Sequence, residues 1–153
     1  MQYTLRQARE SDIEYLLSLR KQTMGPHMRA MGLATNEEVQ VERVKYAFEH
    51  ASVVEIDGKA AGLFKVQAKP EEQSYYIVQI QVDPNFQGQG LGRELISDLF
   101  LKAQEKGWDV TLSVLKKNPA LKLYQRLGFA CEGETSDEYL MRYTSNMAVT
   151  DEN

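Results

Sequence analysis

Residues 82–93 read Val82-Asp83-Pro84-Asn85-Phe86-Gln87-Gly88-Gln89-Gly90-Leu91-Gly92-Arg93, and this stretch decides how the rest of the chain is read. The residues before it, Tyr75–Val82, are large and β-branched with glutamines inserted, and they predict a strand buried on much of its surface. After it, from Leu91 to Lys106, apolar residues fall at 91, 95, 96, 99, 100 and 103, a helical period. The stretch is therefore a strand-to-helix turn carrying three alternate glycines. Glycines remove the Cβ atoms that would hold a ligand away from the backbone, so several N–H groups can converge on one anion. The helix start adds unpaired donors and the positive end of its dipole, and the combination favours a pyrophosphate. Two other phosphate loops fail on spacing. A Walker A loop needs Gly-Lys-Ser/Thr, whereas Gly92 is followed by Arg93-Glu94; a G-x-G-x-x-G fingerprint would need glycine where Arg93 or Leu95 stands.

Working outward, Tyr3–Gln7 predicts a first short strand, and Ser11-Asp12-Ile13-Glu14 reads as a capping box opening a helix. Gly25-Pro26 breaks that helix, and a loop is expected through Met31-Gly32-Leu33. Thr35-Asn36-Glu37-Glu38 reads as a second capping box, before a helix carrying Val39, Val41, Val44, Ala47 and Phe48. Ser52–Ile56 and Ala61–Ala68 predict a hairpin about Asp57-Gly58. Beyond the central helix, with Gly107 as its C′ residue, Val110–Leu115 is a strand. Asn118-Pro119 supplies an N-cap and an N1 proline for a helix that Gly128 stops. Two short strands follow around Gly133–Ser136. The order β-α-α-β-β-β-α-β-α-β-β, with hairpins first and one β-α-β crossover later, predicts an α/β (α+β) fold with a mixed, mostly antiparallel sheet and helices on both faces. One domain is expected over 1–144, with residues 145–153 a polar tail that frays.

Composition narrows the partners. A net charge of −4 argues against a generic nucleic-acid binder. The charged N-terminus lacks a secretory apolar run and no stretch is long enough for a bilayer, so neither a membrane nor export is expected. One cysteine, Cys131, fits a reducing, cytoplasmic setting and reads as a small buried residue. With two histidines and no ligand spacing, no metal site is expected.

The loop Gln87-Gly88-Gln89-Gly90-Leu91-Gly92 resembles the Q/R-x-x-G-x-G/A loop of the GNAT family of N-acetyltransferases. Ile80-Gln81-Val82-Asp83-Pro84 is similar to that family's fourth strand, and Asn118 to Phe129 to its N-x-x-A-x-x-L-Y-x-x-x-G-F region, shifted by one residue between Asn118 and Ala120. The resemblance implies an acetyl-CoA-dependent transferase acting on a primary amine. Backbone amides of Gln87, Gly88, Gln89, Gly90, Leu91, Gly92 and Arg93 would bind the coenzyme A pyrophosphate. The edge of Ile80, Gln81 and Val82 would take the pantetheine arm as an added strand, with the N–H of Val82 or Ile80 polarising the thioester carbonyl. Asn118 would contact that arm, and Tyr124 would protonate the departing thiolate. Chemistry supports these roles: a fixed N–H is worth several kcal/mol to an oxygen that gains charge, and a tyrosine is a credible proton donor. Asn118 is also an ordinary N-cap, and Tyr124 also reads as a half-buried aromatic.

The sequence leaves the base and the acceptor open. Family members often use a glutamate on the fourth strand, but Ser74 to Val82 holds no carboxylate. Alternation puts Tyr75, Gln79 and Gln81 on one face, and Tyr76, Val78, Ile80 and Val82 on the other. Gln79 or Gln81 acting through a water, Tyr76, Glu55, or no base at all are the alternatives; Glu55 also reads as a solvated strand residue and His27 as a surface histidine. The acceptor is a small amine or a peptide, by its N-terminus or a lysine. A non-catalytic acyl-CoA-binding module is the alternative from another class. The two C-terminal strands could pair across a homodimer.

Overall fold

A computed structural model describes residues 2–145. Strands β1 (Thr4–Gln7), β2 (Ala51–Ile56), β3 (Lys59–Lys69), β4 (Ser74–Val82), β5 (Asp109–Leu115), β6 (Ala130–Glu134) and β7 (Glu138–Tyr143) form one seven-stranded sheet. Its order is β1-β2-β3-β4-β5-β7-β6. β4 and β5 pair in parallel, while β1/β2, β2/β3, β5/β7 and β6/β7 are antiparallel. The helices are α1 (Ile13–Thr23), α2 (Gly25–Ala30), α3 (Glu37–Lys45), α4 (Leu91–Lys106) and α5 (Ala120–Leu127). The mixed, mostly antiparallel sheet agrees with the sequence order, with α2 as an addition. By backbone contacts the chain divides into two units. The first takes the chain up to Lys65 together with Gln79–Gly92, and the second takes Val66–Val78 and the described residues from Arg93 onward.

In the first unit, Asp57 and Gly58 both have positive φ, 52° and 76°, as a two-residue hairpin with right-handed strand twist requires. Leu16 and Leu19 of α1 bury against Ala8, Val44, Ala51, Val53 and Leu63. The cap of α1 differs from the expected one. Asp12, not Ser11, accepts the Arg9 N–H at 2.7 Å, because its carboxylate is also fixed by Arg6 through two 2.9 Å bonds. A short 3₁₀ turn, Glu10–Asp12, leads into the helix. Gly25-Pro26 opens a helix rather than a loop: a proline in the first turn loses no hydrogen bond, and Met28 of that turn is buried. The second capping box does not form either. Asn36 flanks α3 without a side-chain cap, and Glu37 pairs with Lys21 at 2.5 Å.

The helix α3 also stops earlier than expected, leaving Ala47 (φ 52°) and Phe48 outside it. The cause is Lys65, wholly buried on β3, whose Nζ donates to the carbonyls of Arg43, Val44 and Tyr46 at 3.3, 3.0 and 2.5 Å. A cation at the carbonyl end of a helix satisfies orphan acceptors and opposes the negative end of the dipole. Burial pushes the Lys65 pKa down to about 8, against the carbonyls that hold the charged form. Lys65→Met is expected to lower unfolding stability by about 3 kcal/mol, roughly one for each carbonyl left without its donor. Between pH 8 and the ordinary lysine value near 10.4, the unfolded chain binds the Lys65 proton more tightly than the folded one. The Lys65 contribution to stability therefore rises with pH across that window. Urea titrations of the two proteins from pH 7 to 10 should show that rise in the wild type and its absence in the variant.

In the second unit, Leu95, Ile96, Leu99, Phe100 and Ala103 of α4 are buried. Gly107 (φ 69°) ends α4 as predicted, with the Trp108 N–H closing on Ala103 O at 2.9 Å. Gly128 (φ 112°) ends α5 in the same way. Phe100 stacks on Tyr143 with centroids 3.6 Å apart, and meets Phe129 at 5.5 Å. Cys131 is exposed, not buried as expected, because β6 is the last strand of the sheet and faces solvent along nearly all its length. Of the expected tail, Ser145 is buried, its hydroxyl donating to Trp108 O and its N–H to Asp109 Oδ1 at 3.3 Å. Residues 146–153 of that tail lie outside the described residues.

Candidate active site

The ladder between β4 and β5 runs from Ser74↔Asp109 to Ile77↔Leu112, and β4 continues past its last pair to Val82. In the first unit this end of β4 lies unusually close to β3. A Cβ on Gly62 would sit 2.4 Å from Gln81 O and 3.3 Å from Val82 Cα, so only glycine permits the approach. The Asp83 N–H then donates to Ala61 O at 2.8 Å. Gly62→Ala is expected to cost about 2 kcal/mol, an overpacking penalty that the backbone of Gln81 and Val82 must absorb by moving. Urea denaturation of the two proteins gives the loss.

Burial follows the predicted alternation of β4 at Tyr75, Ile77 and Gln81, which are buried, and at Tyr76, Val78, Ile80 and Val82, which are half-buried, while Ser74 is buried and Gln79 half-buried outside that pattern. Gln79 Nε2 donates to Arg43 O at 2.9 Å. The side-chain oxygens of Gln79 and Gln81 are buried and have no hydrogen-bond partner among the described residues. Asp83, next on the same face, spends both its oxygens, one on the Tyr15 hydroxyl at 2.7 Å and one on the Asn85 N–H at 2.9 Å. Burial and that carboxylate push the Tyr15 pKa well above the ordinary tyrosine value. Glu55 is held at 2.8 Å by Arg6, and His27 lies half-buried in α2.

The glycine loop follows directly. Gln87 folds back so that its Nε2 donates to Val82 O at 3.0 Å, and its N–H reaches Pro84 O at 3.4 Å. The Gln87 amide is thus engaged inside the turn, and the free donors begin one residue later. Gly88 and Gly90 have φ of 78° and 83°, a conformation that side-chain-bearing residues rarely adopt, and a Cβ on either would point into open space. Among the described residues, no backbone carbonyl accepts from the N–H groups of Gly88, Gln89 or Gly90. Leu91 begins the 16-residue helix α4, whose first N–H groups have no intrahelical acceptor. A Cβ on Gly92 would meet Val82 Cγ2 at 3.8 Å, so the helix start packs on the end of β4. Exposed, unpaired donors on a loop without side-chain cover fit a pyrophosphate.

The second unit holds the other residues singled out from the sequence. Asn118 Oδ1 accepts the Ala120 N–H at 2.9 Å, which makes it a helix cap. Tyr124 is buried on α5 with its ring edge-on to Phe129, centroids 5.8 Å apart. Its hydroxyl has no hydrogen-bond partner among the described residues, and burial pushes its pKa up to about 12. Tyr76 shares a 3.3 Å hydrogen bond with Ser113.

The sequence reading missed Arg20, Gln40 and Lys65, all buried polar residues of the first unit. Arg20 sits four residues after Leu16 on the buried stripe of α1, and Lys65 follows Ala61 and Leu63 on the buried face of β3. A charge at a core-phase position was the available signal. Among the described residues, no group of three His, Cys, Asp or Glu could hold a metal ion, and no helix is long and apolar enough to cross a membrane.

Comparison with known proteins bears on the whole arrangement. The acetyltransferase (GNAT) domain family matches residues 47–131, more than half of the chain. No curated protein matches. Among solved structures, the PaiA N-acetyltransferase of Thermoplasma acidophilum, in complex with coenzyme A, superposes with a TM-score of 0.72 at 13% identity, over 94% of this chain and 99% of its own. The ribosomal-protein-S18-alanine N-acetyltransferase of Escherichia coli gives 0.67 at 21% identity, over 98% of each chain. A spermidine N-acetyltransferase chimera from Vibrio cholerae and hSSAT gives 0.67 at 22%, over 95% of this chain and 96% of its own. These likenesses show the fold, and the match over residues 47–131 shows the family: the chain belongs to the GNAT acetyltransferases.

Proposed function

We propose that this protein is an acetyl-CoA-dependent N-acetyltransferase that moves an acetyl group to a primary amine by direct attack, without an acyl-enzyme. The observation that carries the reading is the glycine loop, with Gly88 and Gly90 at positive φ and three consecutive N–H groups without backbone acceptors at the start of α4. Acetyl-CoA supplies the acetyl group as an activated thioester. The loop from Gly88 to Arg93 holds its pyrophosphate, and Gln87 shapes the loop by bonding Val82 O. Ile80, Gln81 and Val82 take the pantetheine arm along the strand edge, Asn118 contacts that arm, and the N–H of Val82 or Ile80 receives the carbonyl oxygen.

The neutral amine nitrogen bonds to the carbonyl carbon as the C–S bond breaks, its electron pair leaving on sulfur. Tyr124 gives its phenolic proton to that sulfur, and the surplus proton on nitrogen passes to solvent, which reprotonates Tyr124. The high pKa of Tyr124 keeps that proton in place throughout the physiological range. The test is to supply the purified protein with acetyl-CoA and a panel of primary amines, following thiol release and the mass of the amine. The expected result is equimolar thiol and singly acetylated amine. Thiol release with no acetylated product would contradict the reading.

A further inference from the structure

The face of β4 that carries Gln79 and Gln81 is furnished for a particular acceptor. Gln81 is 4% exposed, and its carboxamide makes no hydrogen bond to any described residue. Gln79 spends its nitrogen on Arg43 O and leaves its oxygen buried and unpaired. Buried carboxamides are ordinarily satisfied, so two open oxygens two residues apart on one strand leave acceptor capacity for donors from outside the chain. The open nitrogen of Gln81 adds a donor beside them.

The buried charges beside this face are cationic, whereas Glu37, Glu38 and Glu42, which line a cavity on α3 together with Arg43, are exposed. Lys65 shares the acceptor Arg43 O with Gln79, at 3.3 and 2.9 Å, so its ammonium stands beside the Gln79 carboxamide. Arg20 is 6% exposed and is held by Gln40 Oε1 at 2.8 Å and Met28 Sδ at 3.7 Å, with no carboxylate bonded to it. Its charge and that of Arg43 reach Lys65, with Glu49 as the opposing charge. Asp83, the carboxylate on this face of β4, has both oxygens occupied by Tyr15 and Asn85. Among the described residues, the buried polar and charged side chains are Arg20, Gln40, Lys65, Ser74, Gln81 and Ser145, and none is acidic.

From this geometry we infer that the acceptor is an α-amine next to a carbonyl group, the head of an amino acid or of a peptide, and that polyamines and lysine side chains are excluded. The inference rests on the acetyltransfer reading. The oxygens of Gln79 and Gln81 accept the amine N–H groups, and Gln81 Nε2 donates to the neighbouring carbonyl. Arg20 and Lys65 repel a second ammonium and favour the uncharged form of the first. Without a carboxylate base on β4, the amine must arrive neutral. The α-amine of a peptide, near pKa 8, has about 200 times more neutral form at pH 7 than a lysine-type amine near 10.4.

The experiment measures kcat/KM at pH 7 and saturating acetyl-CoA for alanyl-alanine, alanine, Nα-acetyllysine amide and spermidine. The expected result is at least a 100-fold preference for alanyl-alanine over the lysine amide and spermidine, with alanine separating a peptide terminus from a free amino acid. Equal or faster transfer to spermidine or the lysine amide would overturn the acceptor class alone. Acetyl-CoA binding without transfer to any of the four would overturn the acetyltransfer reading and the acceptor class together. Gln81→Leu should raise the KM of the α-amine at least tenfold. Gln81→Glu supplies a carboxylate in the same volume and should shrink the preference over the lysine amide at least tenfold. An unchanged preference in Gln81→Glu would overturn the role of Gln81.

Discussion

Tyr124→Phe is expected to lower kcat by about 10²- to 10⁴-fold, the usual worth of a positioned general acid, with acetyl-CoA affinity unchanged. The ring is held by burial and by Phe129, contacts that phenylalanine reproduces, so fold and packing should survive the loss of one oxygen. That oxygen bonds to no described residue, and its removal leaves no partner stranded. A merely structural tyrosine would change stability and not kcat. The pH profile adds a second readout. With the phenol pushed up to about 12, wild-type activity should show no alkaline fall by pH 10, where an ordinary tyrosine would be half ionised. Steady-state rates for both proteins from pH 6 to 10, beside isothermal titration with acetyl-CoA, make the comparison.

Gly90→Val is expected to weaken acetyl-CoA binding about 100-fold, equivalent to the loss of one or two charge-assisted hydrogen bonds. The effect comes from conformation and not from crowding. A β-branched residue resists φ of 83°, while its Cβ would meet nothing within 4 Å. The loop therefore turns its N–H groups away, and the protein core is untouched. Isothermal titration should show the weakened binding, with the unfolding temperature of the unliganded protein nearly unchanged.

Much of the local fold around the candidate site was legible because its determinants are local. The glycines of the loop, the period of α4, and the Asp57-Gly58 turn each depend on residues within one or two turns of one another, and each appears as read. The caps were misread because their partners are remote. Asp12 is chosen over Ser11 by Arg6, and α3 ends where Lys65 of β3 collects its carbonyls, about twenty residues away in sequence. Gln79 and Gln81 were placed on the right face by alternation, but no sequence pattern reveals that an oxygen lacks a donor. The cationic surroundings depend on Arg20 and Lys65 meeting across α1, α3 and β3, which only the fold brings about. Cys131 reads as buried by residue type and is exposed because its strand lies at the sheet edge.

The central claim is that the glycine loop binds acetyl-CoA, and thermal unfolding with and without that ligand tests it most directly. At about 100 times its dissociation constant, a ligand bound only by the folded state adds about 2.7 kcal/mol. For a domain of this size that is an upward shift of roughly 5 to 10 °C. The account predicts such a shift in the wild type and a much smaller one in Gly90→Val at the same concentration. An unfolding temperature unmoved by millimolar acetyl-CoA would contradict it.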